Sequence, residues 1–243
     1  MNTSTQTRLT QCDHCHLKPQ CLADRTLESD AAKELNRLVI GGRALPRGAF
    51  LYREGEPREF YYFLRTGAAK SFAVDASGEE HVYAFHFPTE MIGAASLEQA
   101  RHTESVVLLE RSFTCAIPAE PLERLCRANE PLMHSFFSKV SASFAQERRA
   151  RLRVAREQVT ARLADFVLDI ADRMATLGRR DDVLTLPMSR YDIANFIGVA
   201  VETVSRAFRE LQNAGLLEVS GRQITIRSPR DLAQYSGKRA RTA

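Results

Sequence analysis

The hydrophobic pattern changes period twice along the chain. Residues 1–22 are polar, show no period, and are expected to be poorly ordered apart from whatever their cysteines bind. "LESDAAKELNRLVI" then sets Leu35, Leu38 and Val39 at helical spacing behind Ser29 or Asp30 as N-cap, which predicts a short helix. From Arg43 to about Pro118 the pattern shortens to alternating runs: "AFLYREGE", "FYYFLRTGAAKSFAV", "EEHVYAFHF" and "SVVLLERSFTCAI". Gly48, Gly55, Gly67 and the "ASGEE" turn around Gly78 separate them. Many short strands at near-regular spacing predict an antiparallel sandwich or roll.

Helical spacing returns after "PAEPLERLC", which Pro121 opens. Pro131 begins an unbroken helical stretch to about Gln158, about 40 Å long at 1.5 Å per residue. Met133, Phe137, Val140, Phe144, Glu147, Arg151 and Val154 follow a 4-3-4-3-4-3 spacing, a heptad row that suits a dimer seam. Packing on the chain's own roll accounts for part of such a row. Glu147 and Arg151 weaken the seam in its middle, so the expected interface is marginal. A further helix, "TARLADFVLDIADRMATLG", closes at Gly178.

"MSRYDIANFIGVAVETVSRAFRELQNAGLLEVSGRQITI" carries the most specific pattern. Ser189 and Asp192 form a capping box for a helix with Ile193, Phe196 and Ile197 on its apolar side, and Gly198 closes it. A second helix from about Val201 to Ala214 turns Val204, Phe208 and Leu211 inward. Its other side presents Glu202, Ser205, Arg206 and Arg209. A hairpin turning at Ser220-Gly221-Arg222 follows. Two short helices about a glycine turn, then a hairpin, make a winged helix-turn-helix whose second helix enters the DNA major groove. Arg206 suits guanine, Glu202 suits cytosine N4, and Ser205 suits a base edge or thymine methyl.

Charge sharpens that reading. Residues 1–178 hold 23 Lys+Arg against 23 Asp+Glu, whereas residues 179–243 hold 11 against 7, so the whole +4 lies in the C-terminal part. A neutral body with a basic module suits a polyanion partner, although a basic tail (Lys238, Arg239, Arg241) supplies part of the excess. With 44% hydrophobic and 26% charged residues the composition is that of a soluble globular protein. No apolar run approaches the roughly 18 residues of a membrane span, and the N-terminus lacks a signal-peptide core. The expectation is a cytoplasmic protein with reduced thiols and no membrane partner. No Ser-His-Asp, P-loop or G-x-S-x-G pattern supports an enzyme.

Five cysteines then stand out, since a chain of 243 residues needs no disulfide staples. Cys12, Cys15 and Cys21 form C-x2-C-x5-C, and Cys115 ends the run "SFTCAI". Three thiolates close in sequence and a fourth far away suit a [4Fe–4S] cluster, and tetrahedral zinc suits them equally on spacing alone. Cys126, at an apolar helix position, reads as a small core residue, and His14 and His16 read as solvated. The polar neighbours His14, His16, Lys18 and Gln20 suggest an exposed metal site.

Over its full length the chain resembles the cyclic-AMP-receptor/fumarate-nitrate-reduction superfamily of bacterial regulators. "GVAVETVSR" is similar to the recognition helix of the oxygen-responsive branch, V-E-x-x-S-R, matched here by Val201, Glu202, Ser205 and Arg206. The cyclic-AMP branch has R-E-x-x-G-R. Ala200 departs from the pattern where a hydroxyl N-cap is common. The resemblance implies an α+β fold: an N-terminal antiparallel β-roll of the cyclic-nucleotide-binding type, a long dimerisation helix and a C-terminal winged helix-turn-helix. The corresponding segments are 1–25 for the cysteines, 26–130 for the roll, 131–158 for the helix and 159–243 for the DNA-binding part. It also implies a homodimer on double-stranded DNA with TTGAT-like half-sites and recruitment of RNA polymerase. That branch carries C-x2-C-x5-C…C, so Cys12, Cys15, Cys21 and Cys115 become the expected ligands of one [4Fe–4S] cluster per subunit. O₂ is expected to destroy it and loosen the dimer. Nucleotide-binding members carry a Gly-Glu pair before a short helix and then a phosphate-pairing arginine. Here Thr89-Glu90 stands for the pair and Glu104 for the arginine, with Arg101 three residues early, so no cyclic nucleotide is expected. A zinc or thiol sensor on the same DNA-binding frame, or an iron–sulfur electron carrier, are the alternatives.

Overall fold

The computed structural model describes residues 12, 15–22, 29–41, 44–155, 158–178 and 183–237. His14, residues 179–182 and the basic tail fall outside the described residues. The chain divides into two compact units: residues 1–73 with 85–145, and residues 74–84 with 146–243.

The first unit opens with α1 (Ser29–Leu38). Ser29 is already helical, so neither it nor Asp30 is the N-cap; Asp30 instead lies in the first turn, where its charge suits the helix dipole. Eight strands follow: β1 (Ile40–Gly41), β2 (Phe50–Tyr52), β3 (Phe60–Thr66), β4 (Ala69–Val74), β5 (Glu80–His86), β6 (Met91–Ile92), β7 (Ser105–Leu108) and β8 (Phe113–Pro118). They form two antiparallel four-stranded sheets, ordered β1-β8-β3-β6 and β2-β7-β4-β5. The apolar run "SVVLLERSFTCAI" is therefore two strands in different sheets, broken at the polar "ERS". "FYYFLRTGAAKSFAV" divides the same way about Gly67. Alternation along β3 buries Tyr61 and Phe63, which join Leu35, Ile117 and Leu122 in the main core.

α2 (Ala119–Ala128) leads into α3 (Glu130–Val154). Asn129 starts α3, its Oδ1 accepting the Leu132 N–H at 2.9 Å, a cap the sequence reading overlooked. The helix ends at Val154 rather than near Gln158, and α4 (Val159–Thr176) begins soon after. Leu132, Phe136 and Val140 turn one side of α3 into the roll's core.

In the second unit, β9 (Val183–Thr185), α5 (Arg190–Ile197), α6 (Val201–Asn213), β10 (Leu217–Ser220) and β11 (Gln223–Ile226) follow α4. The strands make one antiparallel sheet ordered β10-β11-β9. α7 (Pro229–Tyr235) was not anticipated, although Ser228-Pro229 with Asp231 carries its start signal: the Ser228 hydroxyl accepts from the Asp231 N–H. Among the described residues, no helix is long and apolar enough to cross a membrane.

Candidate functional site

The cysteine segment winds as successive turns. The N–H of Cys15 donates to the Cys12 carbonyl at 3.1 Å, that of Lys18 to Cys15 at 3.0 Å, and that of Cys21 to Lys18 at 3.2 Å. Each of these bonds spans three residues. Leu17 and Leu22, 7% and 1% exposed, pin this coil into the roll. The segment is thus anchored by apolar contacts, contrary to its polar, frayed look in the sequence; two leucines within residues 12–22 were too sparse to form a period.

From the roll, β8 brings Cys115, paired across to Gly41 of β1 and Phe63 of β3. All four thiols line one cavity, together with Leu17, Leu22, Leu35, Phe63, Ile117 and others. Its walls are largely apolar, with Lys18 and Arg65 also in the lining and the four thiols half-buried; His16 is exposed and does not line it. Burial, and then the neighbouring Cys12 and Cys21, push the Cys115 thiol up to about 12, with Arg65 opposing. The donor set is four thiols without a carboxylate or imidazole in the lining, residue types that suit a thiolate-ligated metal group such as [4Fe–4S] or zinc. Cys126 is 3% exposed in the core and stands outside this cavity, with burial pushing its thiol up to about 11.

Elsewhere in the roll, Glu104 is 8% exposed and accepts from the Tyr52 hydroxyl at 3.4 Å. Arg101 donates instead to the Gly55 carbonyl at 2.7 Å. The short 3-10 helix is Ala94–Ser96 and follows Gly93, so Thr89-Glu90 does not directly precede it, and no carboxylate opens it. Glu90 accepts the Phe87 N–H at 3.0 Å.

In the second unit the capping box of α5 is complete, with Ser189 and Asp192 serving each other's backbone, and Gly198 closes the helix at φ 71°. Only a residue that tolerates the left-handed region allows α6 to turn away there. α6 buries Val204, Ala207, Phe208 and Leu211. That leaves Glu202, Arg206 and Arg209 exposed and Val201 and Ser205 half-buried. Ser205 donates to the Val201 carbonyl and Arg206 to the Thr203 hydroxyl, both at 3.2 Å. Ala200 makes no side-chain cap, and Glu202 in the first turn complements the helix dipole in its place. Sequence reasoning missed Arg190, whose guanidinium lies 3.6 Å from the Phe208 ring centroid and donates to Gly221 of the β10–β11 turn at 3.2 Å. This ties the wing to both helices.

The expected seam residues on α3 separate into two groups. Phe137 and Phe144 are 57% and 59% exposed, Val154 is 40% exposed, and Arg151 is exposed. Val140 is 6% exposed within the roll's core, so it has no surface to offer a partner, and Met133 packs against that core. Glu147 is half-buried. Leu152, 62% exposed beside Arg151, was missed because a straight helix drifts from the 3.5-residue repeat.

A cyclic-nucleotide-type roll joined to a winged helix-turn-helix defines a DNA-binding transcriptional regulator, not an enzyme. Residues 42–129 match the cyclic nucleotide-binding domain and residues 161–235 the Crp-like helix-turn-helix domain. The chain is 32% identical over 226 residues to the transcriptional activator protein Anr of Pseudomonas protegens, covering 93% of this chain and 92% of that protein. It is 28% identical to the fumarate and nitrate reduction regulatory protein of Escherichia coli K12, covering 93% and 90%. FixK2 from Bradyrhizobium japonicum superposes with a TM-score of 0.73 at 26% identity, covering 84% of this chain and 100% of that one. The chain belongs to the CRP/FNR family of transcriptional regulators.

Proposed function

We propose that the chain is a cytoplasmic, homodimeric, oxygen-responsive regulator of anaerobic metabolism, holding one [4Fe–4S] cluster per subunit on Cys12, Cys15, Cys21 and Cys115. The observation that carries this reading is the meeting of those four thiols at one cavity, although Cys21 and Cys115 are 94 residues apart. Bound there, the cluster supplies a link between loop and strand that O₂ can dismantle. Cys115 must surrender its proton to become a ligand, and Leu17 and Leu22 line the cavity beside the thiols. Names of relatives support the metabolic assignment, since they include a fumarate and nitrate reduction regulator and activators.

Phe137 and Phe144 offer an apolar face to a second copy, while Glu147 and Arg151 keep that seam weak enough for the state of the loop to tip it. In the dimer, Val201, Glu202, Ser205, Arg206 and Arg209 of each α6 face major grooves one helical turn apart, on TTGAT-type palindromes. Promoter-bound dimers then recruit RNA polymerase. A cyclic nucleotide is not the effector: the buried Glu104 carboxylate would repel its phosphate.

Iron and acid-labile sulfide analysis of anaerobically purified protein tests the cluster. About four of each per chain are expected, lost on aeration within minutes together with the absorbance near ~400 nm. Cys115→Ser should abolish iron uptake and Cys126→Ser should leave it intact. Stoichiometric zinc without sulfide would overturn the cluster and leave the DNA-binding frame standing.

A further inference from the structure

The cysteine loop is fastened at both ends by side chains that are not cysteines. At its start, the Cys12 N–H donates to Asn36 Oδ1 of α1 at 2.9 Å. At its end, the Lys139 ammonium of α3 donates to the Gln20 carbonyl, one residue before Cys21. The same ammonium reaches the Thr89 carbonyl at 3.3 Å. Thr89 lines the thiol cavity and has φ 71°, the sole positive value among described non-glycine residues. A β-branched residue rarely occupies that region and stays there only where its surroundings hold it. Its N–H is held by the Leu64 carbonyl at 3.0 Å and its carbonyl by Lys139.

We infer that Lys139 is a positioning residue that straps the cysteine loop shut from the long helix. An ammonium carries three donors, and its charge strengthens each bond it makes, so one side chain can gather carbonyls from two segments. Lys139 lies two positions from Phe137, about 200° around the helix at 3.6 residues per turn. The strap therefore grips α3 from the side opposite the exposed phenylalanines. Opening the loop removes a tether from the helix that carries them. This deepens the function proposed above and rests on it only for that regulatory consequence; closure of the loop needs no metal.

The test is thiol alkylation in the reduced, metal-free full chain, with iodoacetamide and site-by-site mass spectrometry. Lys139→Met should speed modification of Cys12, Cys15 and Cys21 by roughly three- to ten-fold, as expected for losing a charge-assisted hydrogen bond at a half-buried site. Cys126, buried in the roll's core, should react at an unchanged rate and so reports on global unfolding. Lys139→Arg should restore most of the protection. Lys33→Met, which removes an exposed charge on α1, should change nothing. Equal loop rates in Lys139→Met and wild type would overturn the strap. A parallel rise at Cys126 would do so too, by making Lys139 a general stability residue. Because this experiment contains no metal, its failure leaves the cluster reading intact, and a wild-type protein without iron leaves the strap intact.

Discussion

Burial sets the chemistry of individual side chains here more than sequence neighbours do. His102 shows this away from the thiols: it is 3% exposed, and its ring stacks on Tyr52 with centroids 3.5 Å apart. Burial, and then the charge of Arg58, pull its pKa down to about 4. The unfolded chain takes up this proton near pH 6.5 and the folded chain refuses it until about 4, so stability falls as pH drops through that window. Urea midpoints should show a loss of about 1–2 kcal/mol between pH 7 and pH 5 from this group, and His102→Gln should flatten that slope. On α6, Arg206→Ala should weaken specific binding by about 1–3 kcal/mol and relax the preference at one base, read by competition among single-base variants of the palindrome. The proposed recognition residues were legible because they occupy one face of one short helix. Lys139 was not, since its carbonyl partners leave no mark in residue type.

Among the elements, α3 gathers the most roles, and the heptad row described it only in part. Its inner side is claimed by Leu132, Phe136 and Val140, which is why one expected seam residue is unavailable. Near its C-terminus, Arg153 is 2% exposed and donates to Asp165 of α4 at 2.8 Å, with Asp169 at 3.7 Å. The guanidinium also sits 5.9 Å from the Phe166 ring centroid and 5.5 Å from that of Phe196. This buried pair joins the end of α3 to the helix that starts the DNA-binding part. Arg153→Leu should cost about 3–5 kcal/mol, because it removes the cationic partner of the buried Asp165 carboxylate. Arg153→Leu with Asp165→Leu should recover most of that loss in thermal or chemical unfolding. In the sequence Arg153 looked like one more charge in a basic stretch, and only packing distinguishes it.

For the molecule as a whole, the proposed function makes the dimer equilibrium the decisive quantity, because half-sites one turn apart would need two recognition helices at once. Phe144→Asp should leave secondary structure unchanged, since the residue is 59% exposed. The same change should move anaerobic protein toward monomer in sedimentation velocity and weaken palindrome binding at least tenfold. A single half-site should lose far less, which separates the seam from the recognition helix.

Parts with local signals were legible in the order of residues alone. Periods of two and of 3.6, the Ser189–Asp192 box, the glycine at 198 and the charged face of α6 each act within about a dozen residues, so pattern alone identified the roll, the long helix and the winged module. Which surfaces remain free and which distant groups meet depended on packing in three dimensions. Leu17 and Leu22 anchor a segment that looked frayed, Val140 turns inward while Phe137 and Phe144 stay exposed, and Lys139 reaches the carbonyls of Gln20 and Thr89. The reason is physical: a hydrophobic contact has no direction along the chain and is settled by which area can leave water together.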